Sequence, residues 1–161
     1  MTAKPFKFLF LCTHNACRSI LAEAIFRHLA DTRFIVASAG SNPAGKVFPE
    51  TLTKLQEHGY SVVGLSSKSW DDLKDYQPDV VITVCDQAAG ESCPVWFGKA
   101  VKGHWGLTDA SKVADPLERN QTFDELISLL DARISALLQL MPDELSASEL
   151  SADIKRIGAT Y

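Results

Sequence analysis

The chain has 161 residues, 46% of them hydrophobic and 22% charged, with a formal net charge of −4. That length suits one domain around a single core, and the charge excludes broad attraction to nucleic acid or an anionic membrane surface while leaving room for a local anion site. No segment approaches the length of a membrane-spanning helix, and the apolar run after Lys4 is too short for a secretion signal, so the chain is expected in the cytoplasm with no membrane and no nucleic acid as partner.

In chain order, Phe6–Leu11 is a short apolar run that predicts a buried strand. A helix follows from about Ser19 to Ala30, with Ile20, Leu21, Ala24, Ile25, His28 and Leu29 on one stripe. Phe34–Ala39 predicts a second strand, stopped by Gly40, Asn42 and Pro43. Pro49–His58 carries proline at its opening and Gly59 past its end, the usual polarity of a helix. A short helix is expected near Ser69–Leu73, a third strand over Asp79–Val84, a loop over Cys85–Lys99 and a short fourth strand over Val101–Trp105. Thr122–Met141 has the period of a long helix. After Pro142, Ser146 and Glu149 form a capping box for one more helix with Leu150, Ile154 and Ile157 on its apolar stripe.

Strands alternating with helices predict an α/β fold: one domain over residues 1–161, with a four-stranded, mainly parallel sheet and helices on both faces. The core spans about residues 5–140, and 142–161 form an extra C-terminal helical extension. Ligands of such sheets bind beyond the carboxyl ends of the strands. Cys12 and Cys85 each directly follow a predicted strand and Asp109 soon follows the fourth, which places three reactive side chains on one rim.

The loop Cys12-Thr13-His14-Asn15-Ala16-Cys17-Arg18-Ser19 joins a buried strand to a helix start. Backbone N–H groups converge in such a loop and, with the helix dipole, favour a bound anion; the same field favours a thiolate. Arg18 offers a planar fork to two oxyanion oxygens, Ser19 a hydrogen bond to the sulfur, and Asn15 tolerance of a left-handed backbone. The loop is neither a Walker loop nor a dinucleotide fingerprint. Cys17 is expected to pack rather than react. Of the four cysteines, Cys12, Cys17, Cys85 and Cys93, Cys85 and Cys93 lie too far apart for the paired spacing of a structural zinc site, so zinc is not expected, and a reducing compartment favours catalytic or redox thiols over structural disulfides.

The loop, together with Ser38-Ala39-Gly40, resembles the low-molecular-weight tyrosine phosphatase superfamily. The stretch Val81-Ile82-Thr83-Val84-Cys85 with Cys93-Pro94, and His104-Trp105-Gly106-Leu107-Thr108-Asp109, resemble the thioredoxin-coupled arsenate reductases within it. The resemblance covers roughly residues 5–140. It implies that Cys12 attacks arsenate, that Asp109 protonates the leaving oxygen, that Cys85 displaces arsenite to give a Cys12–Cys85 disulfide, and that Cys93 carries the oxidation outward for thioredoxin to reduce. Phosphate and sulfate are the implied substrate analogues, and no tightly bound cofactor is implied. The acid of that family is usually followed by proline; here Ala110 follows Asp109, and Asp115-Pro116 is a second candidate six residues on. Asn15, Glu23 and Ser38 match potassium ligands of some relatives, but Ser69 stands at the fourth, carboxylate position, so no metal is expected. Two other readings share the nucleophile: a tyrosine phosphatase, which has no need of Cys85 and Cys93, and a non-enzymatic thiol sensor of arsenite or redox state, which has no need of an acid.

Overall fold

The computed structural model describes residues 4–86 and 98–161. Strand β1, Phe6–Leu11, sends Phe8 and Phe10 to one face and Leu9 and Leu11 to the other, and all four are buried. Burial on both faces is the mark of a central strand in a parallel sheet. β1 pairs in parallel with β2, Phe34–Ala39, along its whole length, and on its other side with β3, Val80–Thr83. β3 pairs in parallel with β4, Val101–His104, so the order is β2-β1-β3-β4.

Helical segments cover both faces. The larger core lies on the Phe8/Phe10 side, under α1 (Arg18–Leu29), α2 (Pro49–Glu57), α3 (Pro116–Gln139) and α4 (Ala147–Thr160). Phe8 and Phe26 meet there with ring centroids 4.6 Å apart. The smaller cluster of Leu9, Leu11, Ala39 and Val81 lies under the 3-10 turn Trp70–Leu73 and Tyr76.

Two expectations change. α1 is buried over Ser19–Phe26, not along one stripe, because it lies between the sheet and α3; His28, expected on the apolar stripe, is exposed, and Glu23 is buried against Ser38 of β2. α3 begins at Pro116, not Thr122. The Asp115 side chain accepts a hydrogen bond from the Glu118 amide at 2.9 Å and Pro116 opens the helix, a strong start signal that the apolar period alone does not register.

The C-terminal helix has the expected capping box at Ser146 and Glu149. It seats tightly on β4. A Cβ on Gly103 would lie 2.5 Å from Ile154 Cγ2, and one on Gly158 would lie 2.8 Å from Trp105 Cδ1. The Trp105 Nε1–H donates to the Ile154 carbonyl at 2.9 Å. α4 therefore clamps the residues that lead from β4 towards Asp109. Among the described residues, no helix is long and apolar enough to cross a membrane.

Candidate active site

The strand order reverses at β1, which opens a crevice beyond the carboxyl ends of β1 and β3. Cys12 begins the loop there. Three carbonyls of this loop are held from outside: Asn42 N–H donates to Thr13 O, Ala44 N–H to His14 O and Phe48 N–H to Ala16 O, each at 2.9 Å. In a trans peptide the next N–H points opposite to the carbonyl, and the described residues contain no cis bond. Holding these carbonyls therefore turns the amides of His14, Asn15 and Cys17 to the other side of their peptide planes. Asn15 makes the turn with φ 46°. At Gly40 the end of β2 presses on the Cys12 and Thr13 carbonyls so closely that a Cβ would collide with both. No side chain caps the start of α1 at Cys17, so its first N–H groups are left for an anion.

Below the loop runs a directed hydrogen-bond chain. Asn15 Nδ2 donates to Ser19 Oγ at 2.7 Å and to Ser38 Oγ at 3.0 Å, and Ser38 Oγ donates to Glu23 Oε1 at 2.5 Å. The Lys68 amide donates to Asn15 Oδ1 at 2.9 Å and fixes the orientation of that side-chain amide. Ser19 accepts from Asn15, which leaves its own proton available to Cys12 Sγ, 2.9 Å away. Asn15, Ser19 and Ser38 are fully buried, and a satisfied buried network of this kind holds a single arrangement.

A cavity of about 150 Å³ opens over Cys12, lined also by His14, Ala16, Cys17, Arg18, Ala44, Asp109, Ser111 and Lys112. Asp109 caps the 3-10 turn Ala110–Lys112. Its Oδ2 lies 3.4 Å from Arg18 Nη2, and the other arm of Arg18 donates to the Leu107 carbonyl at 3.3 Å. Asp115 is spent on capping α3 and does not line the cavity. Burial pushes the Cys17 thiol up to about 12, so it stays protonated.

Cys85 is buried, and its sulfur receives the Thr13 N–H at 3.4 Å, with Thr13 Oγ1 at 3.6 Å. It therefore stands against the residue that follows Cys12. Cys93 lies outside the described residues. Beside Cys85, Asp86 Oδ1 is 2.9 Å from His104 Nε2, and His104 Nδ1 is 2.8 Å from Thr83 Oγ1.

The low molecular weight phosphotyrosine protein phosphatase family matches residues 7–150 of this chain. The chain belongs to that family. The match runs past the expected limit at residue 140 and into the first turn of α4. Proteins similar to this chain include arsenate reductase 2 of Staphylococcus saprophyticus, 35% identical over 100 residues that make up 62% of this chain and 75% of the relative. The arsenate reductase of Shouchella clausii is 32% identical over 130 residues, 78% of this chain and 89% of the relative. Among solved structures, the thioredoxin-dependent arsenate reductase of Corynebacterium glutamicum superposes with a TM-score of 0.68 at 30% identity, over 89% of this chain and 66% of that one.

Asn15, Glu23 and Ser38, matched above to potassium ligands, come together. The Lys68 ammonium stands 3.7 Å from Glu23 Oε1, and Ser69 Oγ is occupied by the Asp71 amide. A cation from the chain itself thus faces this carboxylate. Ala44, Ser111 and Lys112 line the cavity but carry no motif. The only sequence signal for them is their nearness to Gly40 and to Asp109.

Proposed function

We propose that this chain is an arsenate reductase of the family's thioredoxin-coupled kind. The observation that carries the reading is the seat of Cys85, with its sulfur 3.4 Å from the amide of the residue after Cys12. A hydrolytic phosphatase needs one thiol at this place, whereas a reductase needs a second within reach of the first.

Arsenate binds to the inward amides of the loop and to the Arg18 fork. Cys12 attacks arsenic, and Asp109 gives a proton to the oxygen that leaves as water. Cys85 then attacks Cys12. The Cys12–arsenic pair of electrons stays with arsenic, which departs as arsenite, and the two sulfurs are oxidised to a disulfide. Cys93 exchanges onto Cys85 and frees Cys12 as a thiolate, and the dithiol of thioredoxin reduces the Cys85–Cys93 bond. The electrons come from this external dithiol and not from a tightly bound cofactor, in keeping with a reducing cytoplasm. Phosphate and sulfate compete with arsenate for the same loop.

The test is arsenite formation by the purified chain with thioredoxin, thioredoxin reductase and NADPH, run beside hydrolysis of an aryl phosphate. Steady arsenite release that stops in Cys85→Ser, with aryl phosphate hydrolysis retained, is the expected result. Arsenite release at the full rate in Cys85→Ser overturns the relay.

A further inference from the structure

The carboxyl of Asp109 is held unsymmetrically. Its Oδ1 accepts the Ser111 N–H at 3.0 Å and the Ser111 hydroxyl at 2.6 Å. Its Oδ2 has neither bond and faces Arg18 Nη2 at 3.4 Å. A carboxyl oxygen that accepts two hydrogen bonds has used both lone pairs, so a proton on this group resides on Oδ2. That oxygen points to Arg18, the fork that grips the oxyanion. Ser111 itself lines the same cavity as Cys12.

We infer that Ser111 is a positioning residue that selects Oδ2 of Asp109 as the oxygen carrying the transferred proton and aims it at the leaving oxygen of the bound oxyanion. This rests on the acid role proposed above for Asp109. In the step, the Oδ2–H bond breaks, its proton goes to the departing oxygen, and the electron pair stays on the carboxylate. The Ser111 hydroxyl donates to Oδ1 before and after the transfer, and a bond to a charged acceptor is the stronger one, so Ser111 favours the product form. Without this hydroxyl, the carboxyl can rotate and place its proton on either oxygen. The restraint is local, two residues from the acid.

The experiment follows the first turnover only, by the rate at which saturating arsenate converts the reduced protein to the Cys12–Cys85 disulfide, read by intact mass after acid quench. Ser111→Ala slows this rate by about tenfold, below the roughly 10²–10⁴-fold expected when the acid itself is lost. Inhibition by inorganic phosphate stays within about twofold of normal, because anion binding belongs to the loop and Arg18. The near-isosteric pair Ser111→Thr and Ser111→Val separates the hydroxyl from bulk: Thr keeps the rate and Val loses it. In an Asp109→Ala background, Ser111→Ala has no further effect, since a residue that acts through another has nothing left to act on.

A normal rate in Ser111→Ala and Ser111→Val, with Asp109→Ala crippled, overturns the positioning role and leaves the acid in place. An equal loss with and without Asp109 also overturns it, by identifying a structural role. A normal rate in Asp109→Ala overturns the acid assignment itself.

Discussion

The loop after β1 and the segment after β4 face each other across one cavity, yet different parts of the chain shape them. In the first, nucleophile, fork and hydroxyl lie within eight consecutive residues, Cys12 to Ser19, and a strand and a helix at its two ends fix where they point. In the second, Asp109 is aimed by Ser111 and Arg18, while α4 braces Trp105 from the far side of β4. The first kind of site is written as a motif. The second is assembled by contacts and leaves only a loose trace in the sequence: two aspartates compete there on paper, and of the two Asp109 lines the cavity.

The sharpest break of this contrast is within the motif. Cys12→Ser is expected to abolish arsenate turnover and aryl phosphate hydrolysis together. Arg18→Lys is expected to be nearly as severe, because a point charge cannot replace a planar fork; steady-state assays of both reactions check this, and near-normal rates in either variant would undo the site.

Next comes the acid segment. Asp109→Asn should slow first-turnover disulfide formation by roughly 10²–10⁴-fold, with the fold intact. Asp115→Asn should leave that rate alone, since asparagine also caps helices well, and Asp115→Ala should cost about 0.5–2 kcal/mol of stability through the lost α3 cap. Urea unfolding beside the rapid-quench assay reads both quantities. A catalytic defect confined to Asp115 variants would reverse the assignment.

Smaller effects probe the supports. Gly40→Ala forces a methyl group against the Cys12 and Thr13 carbonyls, and overpacking of this kind costs about 1–3 kcal/mol; because it displaces the loop, phosphate inhibition should weaken along with the urea midpoint. Smallest is Trp105→Phe, which removes the Nε1–H donor to Ile154. It should cost about 0.5–1.5 kcal/mol, the net worth of one hydrogen bond, because the Ile154 carbonyl keeps its partner within the helix, with phosphate inhibition unchanged. A shift in phosphate inhibition with Trp105→Phe would mean that α4 reaches the loop as well as the acid segment.

The same contrast explains what the sequence made legible. The four strands, the parallel order and the capping box at Ser146 follow from period and end signals, which are local. The start of α3 was legible too, in Asp115-Pro116, but the apolar stripe from Phe123 onward drew the boundary late. The burial of Glu23 could not be read locally, because its partners, Ser38 on β2 and Lys68, are distant in sequence. Nor could the service of residues 42–48, whose amides hold the loop carbonyls: backbone donors carry no residue signature. Gly40 is the exception, a position where the absence of a side chain is itself the message.

The order of the strands also sets an order of assembly. β1 is the first strand to be synthesised and it ends in the centre of the sheet, between β2 and β3. Its loop gains its outer supports from residues up to Lys68 and Ser69, through the Lys68 amide and the Gly40–Ser69 bridge. Asp109 comes only after β3 and β4 have been made. Because pairings distant in sequence close late and slowly, a growing chain completes these supports of the Cys12 loop before it acquires the residue proposed as the acid.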